Sequence, residues 1–147
     1  MTQKIPNSTI VTRIDGKFVE KDITEYFKGK KIVAFALPGA FTPTCSNYHV
    51  PAYEEVFCIN MKDPFVIEKW QEISGAKNIK FIPDGNGNFT KDMNMISDRS
   101  ASGMGPRSFR YSMYVEDGNI VKIFKDEDAK FDVSDPKTMM NFLKERS

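Results

Sequence analysis

At 147 residues, with 40% hydrophobic and 28% charged residues, the chain reads as one globular domain, long enough to bury a core. Its formal net charge is +1, with Lys and Arg interleaved among Asp and Glu, which argues against a nucleic-acid footprint or a surface for acidic substrates. No apolar run approaches the roughly 18 residues of a membrane span, and the N-terminal "MTQKIPNSTIV" lacks the apolar stretch of a secretory signal.

In chain order, "KKIVAFALP" is a continuous apolar, β-branched run, the pattern of a strand buried on both faces. It stops at Pro38-Gly39, a turn signal. A helix is predicted from about Thr44. "VFCINM" is a second buried strand. Asp63-Pro64 then supplies an N-cap and a proline at the first helical position, so "PFVIEKWQEIS" is predicted helical up to Gly75. "IKFIP" is a third strand, "DGNGN" a turn and "FTKDMNMI" a short helix. "YSMYVEDGNIVKIF" is a hairpin around Asp117-Gly118. Asp135-Pro136 repeats the cap-and-proline start, and "PKTMMNFLKERS" is a C-terminal helix with basic residues in its last turns. Strand–helix–strand–helix–strand followed by a hairpin and a helix predicts an α/β domain with a mixed central sheet flanked by helices, the layout of thioredoxin-like folds.

Two cysteines, Cys45 and Cys58, occur without a Cys-x-x-Cys pair. That number does not make a disulfide framework and fits a reducing compartment, hence a cytoplasmic location. Cys45 stands where a strand hands over to a helix, the usual place for a site in an open α/β sheet. A thiol of pKa about 8.5 needs positive potential to act as a thiolate at neutral pH. A helix N-terminus supplies part of it. Arg107 and Arg110 in "GPRSFRYSMYV" are the candidate cations. Thr42 offers a hydroxyl that both donates and accepts beside the sulfur, and Pro38 can wall the pocket without adding a donor.

Pro38, Thr42 and Cys45 in "PGAFTPTCS" fit the Pro-x-x-x-Thr-x-x-Cys signature of the peroxiredoxins. With "SNYHVPAYEE", "MKDPFVIEKW" and "RYSMYVEDG" in the same order, nearly the whole chain resembles the peroxiredoxin 5, or type II, subfamily. The resemblance implies a thioredoxin-like domain and a thiol-dependent peroxidase, with Cys45 as the peroxidatic cysteine passing through a sulfenic acid. It further implies that Thr42 hydrogen-bonds thiolate and substrate and that Pro38 shields the pocket. Arg110 would stabilise the thiolate and the polarised peroxide, with Arg107 ranked behind it. The implied partners are a hydroperoxide, an external thiol reductant (glutathione, glutaredoxin or thioredoxin) and a second copy in a homodimer, with "SGMGPRSF" as a candidate edge. No cofactor or metal is implied.

Several residues carry two readings. Cys58, inside an apolar strand, is either a packed thiol or, as in some plant-type relatives, a resolving partner for Cys45. His49, four residues after Cys45, either lowers the thiol pKa or orders the helix. Met93, Met95, Met139 and Met140 read as core and interface filler. Two other functions compete with the peroxidase: a thiol–disulfide oxidoreductase, disfavoured by the missing Cys-x-x-Cys, and a chaperone-like binding module with a vestigial thiol. One departure from the family stands out. "PAYEE" abuts "VFCIN" with no helix stop between Glu55 and Val56, although a helix-to-strand loop usually takes roughly 2–6 residues. Either the active-site helix is shortened by a deletion or a segment of about a dozen residues is missing there.

Overall fold

The structure is a computed structural model that describes residues 3–37, 56–74, 79–126, 134 and 136–146. Its centre is the buried run anticipated from "KIVAFA": β4 (Lys31–Ala36), with β1 (Gln3–Lys4), β2 (Thr9–Ile14), β3 (Lys17–Asp22) and the short helix α1 (Thr24–Phe27) before it. After it come β5 (Phe57–Asn60), α2 (Pro64–Ser74), β6 (Lys80–Pro83), α3 (Asn88–Asp92), β7 (Ile96–Arg99) and β8 (Gly105–Ser108). The chain closes with β9 (Tyr111–Glu116), β10 (Asn119–Lys125) and α4 (Pro136–Arg146). The six-stranded sheet runs β1-β10-β9-β4-β5-β6. Strands β4, β5 and β6 are parallel, and β9, β10 and β1 join them antiparallel, so the sheet is mixed as predicted.

Side chains alternate across this sheet and build a core on each face. Ala34, Ala36, Phe57, Ile59, Ile82, Tyr111, Met113 and Val115 point to one face, where Ile10, Phe27 and Phe89 cover them. Phe35, Leu37, Cys58 and Phe81 point to the other and pack with Ile67 and Trp70 of α2. The Trp70 and Phe81 rings meet edge-on at 5.4 Å. Helix α4 shares this second face, its Phe142 ring 6.5 Å from Tyr114. Met93, Met95 and Met139 are buried as filler, whereas Met140 is exposed.

The cap read at Asp63 is present: its carboxylate accepts from the Val66 N–H at 2.9 Å and its carbonyl from the Ile67 N–H at 3.1 Å. "FTKDMNMI" is helical only as far as Asp92. Asn94 adopts φ 59°, a left-handed residue that terminates the helix, and Ile96 then enters β7. The predicted stop at Gly75 and the helix start near Thr44 lie outside the described residues. So does Glu55, and with it the junction at Glu55–Val56.

Two hairpins went unread in the sequence. The ribbon β7–β8 is joined by five residues, Ser100 to Met104, rather than by a two-residue turn. The ribbon β2–β3 has such a turn: Asp15-Gly16, with φ 51° and 78°, repeats the backbone of Asp117-Gly118 at 46° and 77°. Both positive angles suit the primed two-residue turn that matches strand twist. The first pair was obscured because the flanking strands show little alternation; in β2 only Ile10 is buried.

Candidate active site

The parallel strands β4, β5 and β6 end together at Ala36, Asn60 and Pro83, and β9 begins beside them with Tyr111 opposite Ala36. Extending each register by one residue sets Arg110, Leu37, Asn60 and Pro83 in a row across the sheet's C-terminal rim. From Leu37 the chain leaves toward Pro38, Thr42, Cys45 and His49, which lie outside the described residues. Arg110 and Arg107 lie within them, as does Cys58.

Arg110 is 94% buried (6% exposed), and its position is fixed from behind. Its carbonyl accepts from the Asp126 N–H at 2.9 Å. Asp126 is itself buried, its carboxylate accepting from Ser134 N–H at 3.1 Å and Ser134 Oγ at 2.6 Å. A guanidinium stays charged when buried, so it projects a field that solvent screens weakly. Arg107 is held differently. It lies in β8, opposite Ser97, with its Nε donating to the Met104 carbonyl at 2.9 Å. It is half-buried and close enough to Lys62, just past β5, for its charge to act there; burial first and Arg107 second hold the Lys62 ammonium below its ordinary range. The structure therefore separates the two arginines: Arg110 on the rim row, Arg107 on the outlying ribbon.

Cys58 is fully buried in β5, between Phe35 of β4 and Phe81 of β6, on the α2 face. Sequence reasoning missed the polar groups around the rim. Asn60 is 1% exposed, and both ends of its amide are without a hydrogen-bond partner among the described residues. Asp84, just past β6, was read only as a turn residue. Its carboxylate accepts from Phe89 N–H (3.2 Å), Thr90 N–H (2.8 Å) and Thr90 Oγ (2.7 Å), capping α3 from inside the protein. Burial pushes the Asp84 carboxyl up, and those hydrogen bonds pull against it. Burial, and then the Asp84 charge, pushes the Tyr111 phenol up as well. An Asp before a Gly-rich turn looks solvent-exposed in sequence; only the packing of α3 on the sheet buries it.

The redoxin family model matches residues 2–140. A peroxiredoxin of Synechocystis sp. is 38% identical over 170 aligned positions, covering 97% of this chain and 90% of that protein. The chain is a peroxiredoxin. Among solved structures, the antioxidant protein of Plasmodium falciparum, a 1-Cys peroxiredoxin, superposes with a TM-score of 0.92 at 34% identity, covering 98% of each chain. Reduced Prx3 of Vibrio vulnificus in complex with H2O2 gives 0.91 at 32% identity, covering 99% of this chain and 96% of that one. Peroxiredoxins of the hybrid Prx5 and plant type II kinds are among its relatives, so the resemblance in sequence is borne out, and with it the thioredoxin-like fold. This peroxiredoxin is a thiol-dependent peroxidase. Its alignment to the Synechocystis protein runs longer than its own 147 residues, so that relative carries positions with no counterpart here.

Among the described residues no helix is long and apolar enough to cross a membrane, and no group of His, Cys, Asp and Glu could hold a metal ion.

Proposed function

We propose that this peroxiredoxin reduces hydrogen peroxide and small alkyl hydroperoxides through Cys45 in a one-cysteine cycle. The Cys45 thiolate attacks the terminal peroxide oxygen. An S–O bond forms as the O–O bond breaks, and the departing oxyanion takes a proton to leave as water or an alcohol. An external thiol then attacks the sulfenic sulfur, releasing water and leaving a mixed disulfide. A second thiol returns Cys45 to the reduced state and departs in a disulfide with the first. Glutathione, glutaredoxin and thioredoxin are the candidate donors. Thr42 hydrogen-bonds thiolate and peroxide, Pro38 walls the pocket, and Arg110 stabilises charge on sulfur and on the leaving oxygen. Arg107 and His49 stand behind these.

The observation that carries this reading is the buried Arg110 on the rim row beside Leu37, the residue from which the chain departs toward Cys45. The one-cysteine cycle is supported by the burial of Cys58 among apolar side chains of a central strand. The 1-Cys relative from Plasmodium points the same way. The connection between β4 and β5, residues 37–56, exceeds the dozen or so residues a parallel crossover needs. The extra aligned positions of the Synechocystis relative fit either reading of the Glu55–Val56 junction, a deletion or a missing segment. The protein works as a homodimer in a reducing compartment, the cytoplasm.

Intact mass under non-reducing conditions, before and after one equivalent of hydrogen peroxide, tests the cycle. Gain of one oxygen, abolished in Cys45→Ser, is the expected result. Loss of two hydrogens instead would make Cys58 the resolving thiol. No change would overturn the assignment of Cys45 and leave the chaperone-like module as the better reading. Insulin reduction by the protein would favour the thiol–disulfide oxidoreductase.

A further inference from the structure

A second charged site lies away from the rim, between the β2–β3 hairpin and the edge of the sheet formed by α2 and β6. A groove of about 270 Å³ opens there, with Arg13, Lys21, Tyr26, Glu68, Gln71 and Lys80 among its walls. Two lysines from separate elements converge on one ring: Lys21 Nζ of β3 lies 5.4 Å from the Tyr26 centroid and Lys80 Nζ of β6 lies 4.6 Å from it. Among the described residues neither lysine forms an ion pair. Burial, then the charges of Lys21 and Lys30, hold the Lys80 ammonium below its ordinary range. The groove's acid, Glu68, is taken by Arg13 at 2.8 Å. Arg13 still presents a buried Nε–H without a partner among the described residues.

Like charges held together repel, and the fold retains that repulsion on a surface where either side chain could have pointed elsewhere. Attraction to the Tyr26 ring offsets part of it. With Arg13 balanced by Glu68, two positive charges are left without an ion pair among the described residues, which matches a dianion in charge. Ammonium groups act on phosphate as point charges and do not demand the planar geometry of a guanidinium fork. The groove is slightly smaller than the roughly 300–1,000 Å³ of sites for drug-sized ligands, so it suits a compact group. We propose that this groove binds a phosphate-bearing dianion, its phosphoryl group seated between the Lys21 and Lys80 ammonium groups beside Tyr26. The site is independent of the thiol chemistry and of the Cys45 assignment.

Calorimetric titration of the full chain with inorganic phosphate at low ionic strength tests it. One saturable site is expected, weakened at least about tenfold in Lys21→Gln and in Lys80→Gln and retained in Lys21→Arg. Lys122→Gln is the control, because Lys122 lies 5.3 Å from the Phe124 ring with no second lysine on that ring among the described residues. It should bind as the parent does. Adenosine monophosphate separates the two sources of the same chemistry: binding tighter than inorganic phosphate marks a site for phosphate esters, and equal binding a site for the free ion. Peroxidase activity should be unchanged in Lys21→Gln and Lys80→Gln, which also reports that they fold. A flat titration overturns the proposal, as does equal displacement by chloride at matched ionic strength or equal binding by Lys21→Gln, Lys80→Gln and the parent.

Discussion

The C-terminal rim of the sheet and the hairpin groove both gather polar and charged groups, but they differ in burial, and burial decides what those groups can do. On the rim, Arg110, Asn60 and Asp84 are each at most 6% exposed. In the groove, Arg13, Lys21, Tyr26 and Lys80 sit half-buried or exposed. A charge in the low-dielectric rim acts strongly on a reacting atom and is costly to leave unsatisfied. The same charge in the groove is screened by water and salt, so it gathers ligands and contributes little to stability. The catalytic field proposed for Arg110 belongs to the first region and the exchangeable binding proposed for the groove to the second.

Breaking the contrast begins with Arg110. Arg110→Met should lower kcat/KM for hydrogen peroxide by roughly 10²–10³-fold, the scale for losing one preorganised group that stabilises developing charge. A loss under tenfold in steady-state assays would remove Arg110 from the catalytic set. Asn60→Leu should follow in size and with the opposite sign. Because the buried amide has no hydrogen-bond partner among the described residues, replacing it with an apolar side chain of similar volume should stabilise the protein by about 1–3 kcal/mol in urea denaturation. A destabilised variant would mean that Asn60 does have partners.

Asp84 sharpens the comparison through pH. Its folded pKa is raised, so folding favours the protonated carboxyl. The contribution is fully present below the ordinary carboxylate value of about 3.9 and is lost as pH rises through the folded pKa. The stability of the parent relative to Asp84→Asn should therefore fall between acid and neutral pH. A constant difference across that window would show that the hydrogen bonds from Thr90 and Phe89 outweigh burial. The smallest effect belongs to the groove. Glu68→Gln removes the Arg13–Glu68 pair, whose Glu68 side chain is 51% exposed, and should cost about 0.2–1 kcal/mol, shrinking further in high salt.

Legibility in the sequence followed the same divide. The buried parallel strands β4 and β5 were plain, because a strand covered on both faces must be apolar throughout. The N-cap at Asp63 was plain too, because capping chemistry is local. The β2–β3 ribbon was not, because one of its faces meets solvent and little in its pattern distinguishes it from loop. The end of α3 was misjudged by a few residues, because Asn94 could have continued the helix or capped it, and the left-handed turn into β7 decided. Asp84 misled for a related reason: nothing local in "DGNGN" tells that the aspartate faces inward.

By itself the sequence determined the family and the chemistry. Pro38, Thr42 and Cys45 stand within eight residues of one another, and the strand and helix signals beside them depend on neighbours a few positions away. What only the tertiary structure decided is which distant residues meet. Arg110 reaches the row of Leu37 and Asn60 because β9 pairs antiparallel with β4 while β5 pairs parallel with it. Lys21 and Lys80 meet at Tyr26 because the first hairpin folds back over the sheet edge. A slip of one residue in any of those registers would turn each side chain to the opposite face. Register is a property of the whole sheet, set by the burial of both faces at once, and no short stretch of the chain contains it.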